Sequence, residues 1–206
     1  MRTFDHLIVG VANLDDGLDW FAATTGIRPA RGGAHPELGT TNALVSLGAE
    51  SYLELLAPDP HAGAGSSPVA TALAALQVPT PVGWSVQCTD AASAAQSIRA
   101  AGYDAAASPY QRMTPSGEVL RWDIVLLTHG LGPIIPFLID WGAAASPAAT
   151  APGGCELLTF SGTHPDPEAA QQVLDLLMAP MSVAAGPGSG LRIRLATPRG
   201  VVEIGS

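Results

Sequence analysis

Three times along this chain a run typical of a β-strand leads directly into a capped helix, and that recurrence constrains the fold more than any other feature. In the first segment "FDHLIVGV" (4–11) alternates as a half-buried strand does. Asn13 then offers an N-cap, and Asp15 and Asp16 sit where the helix dipole favours acids. Leu14, Leu18, Phe21 and Ala22 share one helical face, and Gly26 stops the helix. The extended pieces "IRPARG", "NALVSLG" and "SYLELLAP" follow, separated by glycine-rich turns or by a loop containing His35. The unit reads βαβββ.

The second segment repeats the plan. "GWSVQCT" reads as a strand, Asp90 caps a helix whose Ala91, Ala94, Ala95 and Ile98 share a face, and Gly102 ends it. "DAAASPYQRMTP", "LRWDIVLLT" and "PIIPFLIDW" then read as strands. The third begins at "CELLTFSG", after a linker rich in Ala, Pro, Ser and Gly at 143–154. Asp166 caps its helix, Pro167 takes the first helical position, and Ala170, Val173, Leu174 and Leu177 form the buried stripe. "GLRIRLATP" and "GVVEIGS" close the chain as a hairpin, which leaves this unit one strand short. A curved sheet with one helix buries only one face, so two units must pair, leaving a cleft between them. The expected fold is α+β: paired βαβββ modules forming a curved mixed sheet with a cleft, plus a partial third module. Residues 1–142 hold the two modules, near 1–60 and 82–142, joined by a helix near 68–77, and a βαββ module at 155–206 packs on the same body.

Composition narrows the chemistry. Apolar residues make up 47% and charged residues 13% of the chain, enough buried surface to offset ordering entropy. The net charge is −9 and all basic residues are arginine, which argues against nucleic acid and against anionic membranes as partners. Without lysine there is no Schiff base and no P-loop. Cys88 and Cys155 are too few for a disulfide framework and read as buried small apolar residues. The most apolar stretch, "GLGPIIPFLIDWG" (130–142), is too short to span a bilayer, and no signal peptide is visible, so the reading is cytoplasmic.

Strand periodicity puts Phe4, His6 and Ile8 on one face and Tyr52, Glu54 and Leu56 on another. If both faces look into the cleft, an imidazole and a carboxylate converge, a pair suited to a divalent ion such as Zn, Mn, Fe or Ni. The alternative is a His6 bonded to backbone and a Glu54 paired with an arginine. His35 lies near Thr40 and Asn42 in a loop placed to carry binding groups. His129 either sits at the mouth of the cleft or ends a strand, His164 is structural beside the cap Asp166, and His61 has no role. Arg121 and Asp123 make one face of a strand polar, so Arg121 either holds a substrate carboxylate or forms an outward salt bridge. Trp84, Trp122 and Trp141 either line a pocket or pack the core, and Glu203 occupies a place in the third unit like that of Glu54 in the first.

The strings "DHLIVGVANLDDGLDWF" and "GGAHPELGTTNALVSLGAESYLELLAPD", with "PFLIDWG" and "HPDP" later, resemble the glyoxalase-like branch of the vicinal oxygen chelate superfamily over nearly the whole length. The resemblance implies a cup of paired βαβββ modules, in which the superfamily binds a divalent metal through the first and last strands of each module. Carried over, it implies His6 and Glu54 as metal ligands, with Glu54 also the proton-moving carboxylate. The second module offers Val82, Trp84 or Val86 on its first strand and only Asp140 on its last. Substrate-binding candidates are His35, Asn42, Arg121 and Trp84.

Two functions compete. One is a metal-assisted lyase, isomerase or ring-opening oxygenase that chelates a small substrate. The other is a metal-free module holding a small ligand. A partner-binding role for "GLGPIIPFLID" ranks below both, and open sheet edges invite a homodimer.

Overall fold

The computed structural model describes residues 1–62, 67–114, 116–128 and 130–205. His129 and the glycine-bearing stretch 63–66 lie outside the described residues. The first unit runs β1 (Phe4–Gly10), α1 (Leu14–Thr25), β2 (Ala30–His35), β3 (Thr40–Ser46) and β4 (Tyr52–Pro58). After α2 (Pro68–Ala74), the second runs β5 (Thr80–Gln87), α3 (Ala91–Ala100), β6 (Asp104–Met113), β7 (Val119–Thr128) and β8 (Phe137–Asp140). The third has β9 (Glu156–His164), α4 (Pro167–Leu176), β10 (Val183–Ala185), β11 (Gly190–Thr197) and β12 (Gly200–Gly205).

Local chemistry sets the helices. The Asn13 side chain accepts from the amides of Asp15 and Asp16 at 2.8 and 3.2 Å, and Asp90 and Asp166 accept from Ser93 and Ala169 at 2.9 and 3.0 Å. Gly26, at φ 83°, closes α1 in the left-handed conformation that costs glycine least. Leu14, Leu18 and Phe21 of α1 and Ala91, Ala94, Ala95 and Ile98 of α3 are buried.

The first two units close one eight-stranded barrel in the order β1-β4-β3-β2-β6-β7-β8-β5. Both use the same internal order, with a parallel pair at β1/β4 and β5/β8. They meet along two seams. At one, β1 runs antiparallel to β5, with His6 opposite Ser85. At the other, β2 touches β6 through the pair Ala34 and Met113. Gly33 permits that contact: at φ 134° it has no room for a side chain, since a β-carbon would stand 1.8 Å from the Met113 carbonyl oxygen.

The third unit forms its own sheet, β10-β9-β11-β12. The strand missing from the sequence reading is β10, three residues parallel to β9. The likeness expected between Glu203 and Glu54 does not hold. Glu203 lies on β12, at the edge of a sheet of different order, and pairs with Arg192 and Arg194 at the surface. One core joins this sheet to the barrel, with Leu174, Ile193 and Leu195 in the same cluster as Leu7, Leu53, Val86 and Leu138. Trp84 is the joint: fully buried, it donates Nε1–H to the Ile134 carbonyl at 2.9 Å and meets the Phe160 ring at 5.0 Å between centroids. The linker 143–154 also docks, with Pro147 and Ala148 buried and the Pro152 carbonyl accepting from the Ser46 amide at 2.9 Å.

Candidate active site

The barrel's concave face, with α2 and part of the third unit, lines an open cavity of about 780 Å³. On β1, Leu7 and Val9 belong to the core, which leaves His6 and Ile8 to line the cavity. The parallel partner β4 adds Tyr52, Glu54 and Leu56, and β3 adds Asn42. All of the polar members of this set are buried.

His6 is held from behind by its own neighbour. Adjacent strand residues normally point to opposite faces, yet His6 Nδ1 lies 2.6 Å from Asp5 Oδ1. The pairing of β1 with β5 shifts register between Phe4 and His6, and that irregularity brings the two side chains together. Asp5 is fully buried and also accepts from Gln87 Nε2 and Trp141 Nε1, each at 2.9 Å. Burial alone would raise its pKa, but the hydrogen bond and charge of His6, with those of Trp141 and Gln87, outweigh it and hold the carboxyl below its ordinary value. An ionised Asp5 only accepts, so His6 Nδ1 carries the proton and donates, with Ser85 Oγ a further neighbour at 2.8 Å. Nε2 is the ring nitrogen left to face the cavity and Glu54. The Tyr52 ring stacks on the imidazole at 4.5 Å. Burial first, then the charges of Asp5 and Glu54, push the Tyr52 phenol well above its ordinary range, so it stays a neutral O–H.

Opposite stands Glu54. Its Oε2 lies 3.7 Å from His6 Nε2, and its Oε1 accepts from Asn42 Nδ2 at 2.6 Å. His35 approaches the same carboxylate at 4.0 Å through Nε2, with Nδ1 at 3.1 Å from Thr40 Oγ1. Burial depresses the His35 pKa more than the Glu54 charge raises it, so the ring is neutral. His35 is not in a loop: it is the last residue of β2, paired with Thr40.

The other expected residues are placed differently. Trp84 forms part of the cavity wall, with its indole N–H spent on Ile134. Arg121 is exposed and lines an adjoining groove, which shares Tyr110, Arg112, Trp122 and Trp141 with the cavity but does not reach His6. Asp140 is turned out of the cavity: Oδ2 accepts from the Ala91 amide at 3.2 Å and Oδ1 from Gly142 at 2.9 Å, so it caps α3. His164 Nδ1 bonds the Asp166 backbone at 2.9 Å. Both cysteines are buried, and burial pushes the Cys155 thiol up to about 11, so neither is a nucleophile.

Sequence reasoning passed over Arg112. It lies on β6, lines the cavity and is 6% exposed. Its Nε has no hydrogen-bond partner, and no carboxylate among the described residues lies within ion-pair distance. The signal in "SPYQRMTP" was its spacing from Tyr110, two residues earlier and also facing the cavity.

The donors do not match a four-ligand metal centre. His6 and Glu54 are present, but the inward positions of β8 are Phe137 and Ile139. Among the described residues, no group of three or more His, Cys, Asp or Glu is arranged to hold a metal ion. The unpaired Arg112 guanidinium adds positive charge to the same space, which opposes a cation.

Comparisons with known proteins agree with this architecture. A family model described as glyoxalase-like domain matches residues 4–178. A hypothetical protein from Staphylococcus aureus superposes with a TM-score of 0.70 at 14% identity, covering 99% of each chain. A Streptomyces coelicolor methylmalonyl-CoA epimerase variant in complex with 2-nitronate-propionyl-CoA gives 0.51 at 22% identity, over 71% of this chain and 99% of that one. The methylmalonyl-CoA epimerase from Mycobacterium tuberculosis gives 0.50 at 19%, over 72% and 92%. No curated relative matches the sequence.

Proposed function

The chain belongs to the glyoxalase-like domain family of the vicinal oxygen chelate superfamily, and from that premise we propose that it is a small-molecule enzyme of the isomerase or lyase type. It moves a proton on carbon beside a carbonyl group. One observation carries the reading: a histidine whose Nδ1 is held by Asp5 faces a carboxylate across 3.7 Å inside the barrel's cavity. At 3.7 Å the two groups are too far apart to hydrogen-bond each other, so both are open to a substrate group placed between them.

In the proposed step His6 Nε2 takes the proton, the C–H bond breaks, and its electron pair moves to the carbonyl oxygen as an enolate. Asp5 stabilises the imidazolium that results. Tyr52, a neutral O–H in the same wall, is the donor available to the enolate oxygen. Return of the proton from His6, or through Glu54, to another carbon or face gives isomerisation. Departure of a β-substituent with its electron pair gives a lyase.

The test is proton-deuterium exchange in D2O, followed by NMR, on a panel of small oxo acids. Wild-type protein is expected to exchange the C–H beside the carbonyl, and His6→Gln to do so about 10²- to 10⁴-fold more slowly. A second reading is a ligand carrier, favoured by the apolar face of Phe137, Ile139 and Ile124. Saturable binding of panel members with no exchange above the buffer rate would decide for the carrier.

A further inference from the structure

We infer that the substrate is an amphiphilic carboxylate, whose anionic head pairs with Arg112 and whose hydrocarbon tail fills the apolar arm of the cavity beneath α2. This rests on reading the cavity as the active site and goes further, because it names what enters.

Arg112 is the first observation. A buried cation without a partner is costly in any fold, and the cost falls only when an anion arrives. The other arginines are differently placed: Arg28 pairs with Asp19 at 2.8 Å, Arg31 with Asp15, and Arg192 and Arg194 with Glu203, while Arg2, Arg99 and Arg199 donate to backbone carbonyls and Arg121 is exposed. Arg112 is buried with neither kind of partner, although the chain carries twice as many acidic residues, 18, as basic ones, 9. Gly32 makes room for it: a β-carbon there would stand 2.6 Å from Arg112 Nη1 and 2.3 Å from Asn42 Oδ1. That Asn42 oxygen is itself buried with no partner, and the Asn42 amide nitrogen is spent on Glu54. A guanidinium with free donors fits a carboxylate through two parallel hydrogen bonds.

The apolar arm is the second. Away from the polar cluster the cavity is walled by Ile8, Leu56, Leu73, Val82 and Ile139, and the chain's third unit closes its far side with Leu191. Val69 of α2 and Leu126 of β7, both lining the cavity, are 40% and 50% exposed, unusually so for large apolar side chains. A two- or three-carbon acid would leave most of about 780 Å³ unfilled. A nucleotide-bearing thioester, such as the ligand in the epimerase complex, needs cations for its phosphates. Among the described residues of this cavity Arg112 is the one arginine, and the chain has no lysine.

Calorimetric titration of the whole chain with butanoate, octanoate, dodecanoate, octylammonium, octanol and propionyl-CoA tests the inference. Octanoate is expected to bind about 10- to 100-fold more tightly than octanol or octylammonium. From butanoate to octanoate affinity should rise about fourfold for each methylene buried. Arg112→Met, which replaces a buried unpaired charge with an apolar chain, should retain its fold and lose the advantage of octanoate over octanol. Equal binding of octanoate to Arg112→Met and wild type overturns the inference, as does equal affinity for butanoate and octanoate, or tighter binding of propionyl-CoA. If Arg112→Met does not fold, the wild-type contrast between octanoate and octylammonium decides alone. Binding is read without turnover, so octanoate binding with no exchange at C3 of 2-oxooctanoate ends the catalytic reading and leaves this one standing.

Discussion

The two halves of the barrel share a strand order and differ in what they turn inward. β1 to β4 present His6, His35, Asn42, Tyr52 and Glu54, whereas β6 to β8 present Tyr110, Arg112, Trp122, Ile124, Phe137 and Ile139. The opposite faces do not differ in this way. Leu7, Leu53 and Leu55 belong with Leu18 and Phe21 of α1 to the same apolar core as Val86, Val125 and Leu138 with Ile98 of α3. Barrel closure is therefore a matter of the outer faces and the helices over them. The inner faces are free to differ, one half carrying the imidazoles and the carboxylate and the other the aromatic and apolar wall with Arg112.

The sharpest way to break this comparison is to remove charge from one half and bulk from the other. Glu54→Gln and His6→Gln are expected to slow exchange about 10²- to 10⁴-fold. Both should shift stability by about 1 kcal/mol or less, because the amide keeps a partner for Asn42 in the first case and for Asp5 in the second. Phe137→Leu should change rate far less and act through substrate affinity. Comparable rate losses from Phe137→Leu and His6→Gln would show that the division between the halves is false.

Stability should respond in the opposite sense. Trp84→Ala removes the side chain that joins the barrel to the C-terminal sheet and is expected to cost about 3–5 kcal/mol in urea unfolding. A cost below about 1 kcal/mol would mean that the two sheets are held together elsewhere.

Divalent ions sharpen the comparison further. A centre shared by both halves would need ligands on β5 or β8, and Asp140 is committed to the amides of Ala91 and Gly142. Addition of Zn, Mn, Fe or Ni is expected to leave the thermal midpoint of the protein unchanged. Stoichiometric metal that is lost in His6→Ala would restore the superfamily's metal chemistry to this site.

Much of the fold was legible because its signals are local. The caps Asn13, Asp90 and Asp166 depend on residues two or three positions away, and each forms as read. β2 was misplaced because Gly32 and Gly33 resemble a turn, whereas they serve a strand that crosses close to β6 and to Asn42. β10, three residues long, is below any periodic signal. In the site, His6 and Glu54 could be read from alternation along two strands. Whether a charge is paired could not: Arg112 and Asp140 both read as ionic residues on strands, and only the register across the β2–β6 seam and the position of α3 separate a free cation from a spent carboxylate.

The smallest effect expected lies in the pH dependence of stability, and it again concerns one half alone. Burial, acting against the charge of Glu54, holds His35 below its ordinary pKa of 6.5 in the folded protein. The unfolded chain therefore takes up a proton on this residue as pH falls below 6.5, while the folded chain resists it. The contribution of neutral His35 is complete above that value and is lost as pH falls through the folded pKa. Asp5 behaves in the same direction in a separate window: its stabilising contribution is present above its ordinary 3.8 and is lost below it. Urea unfolding between pH 7 and 5 should show a shallow decline that flattens in His35→Gln and persists in Phe137→Leu, which leaves His35 in place. A decline of equal slope in His35→Gln would place the proton uptake elsewhere and leave His35 ionised in the folded state.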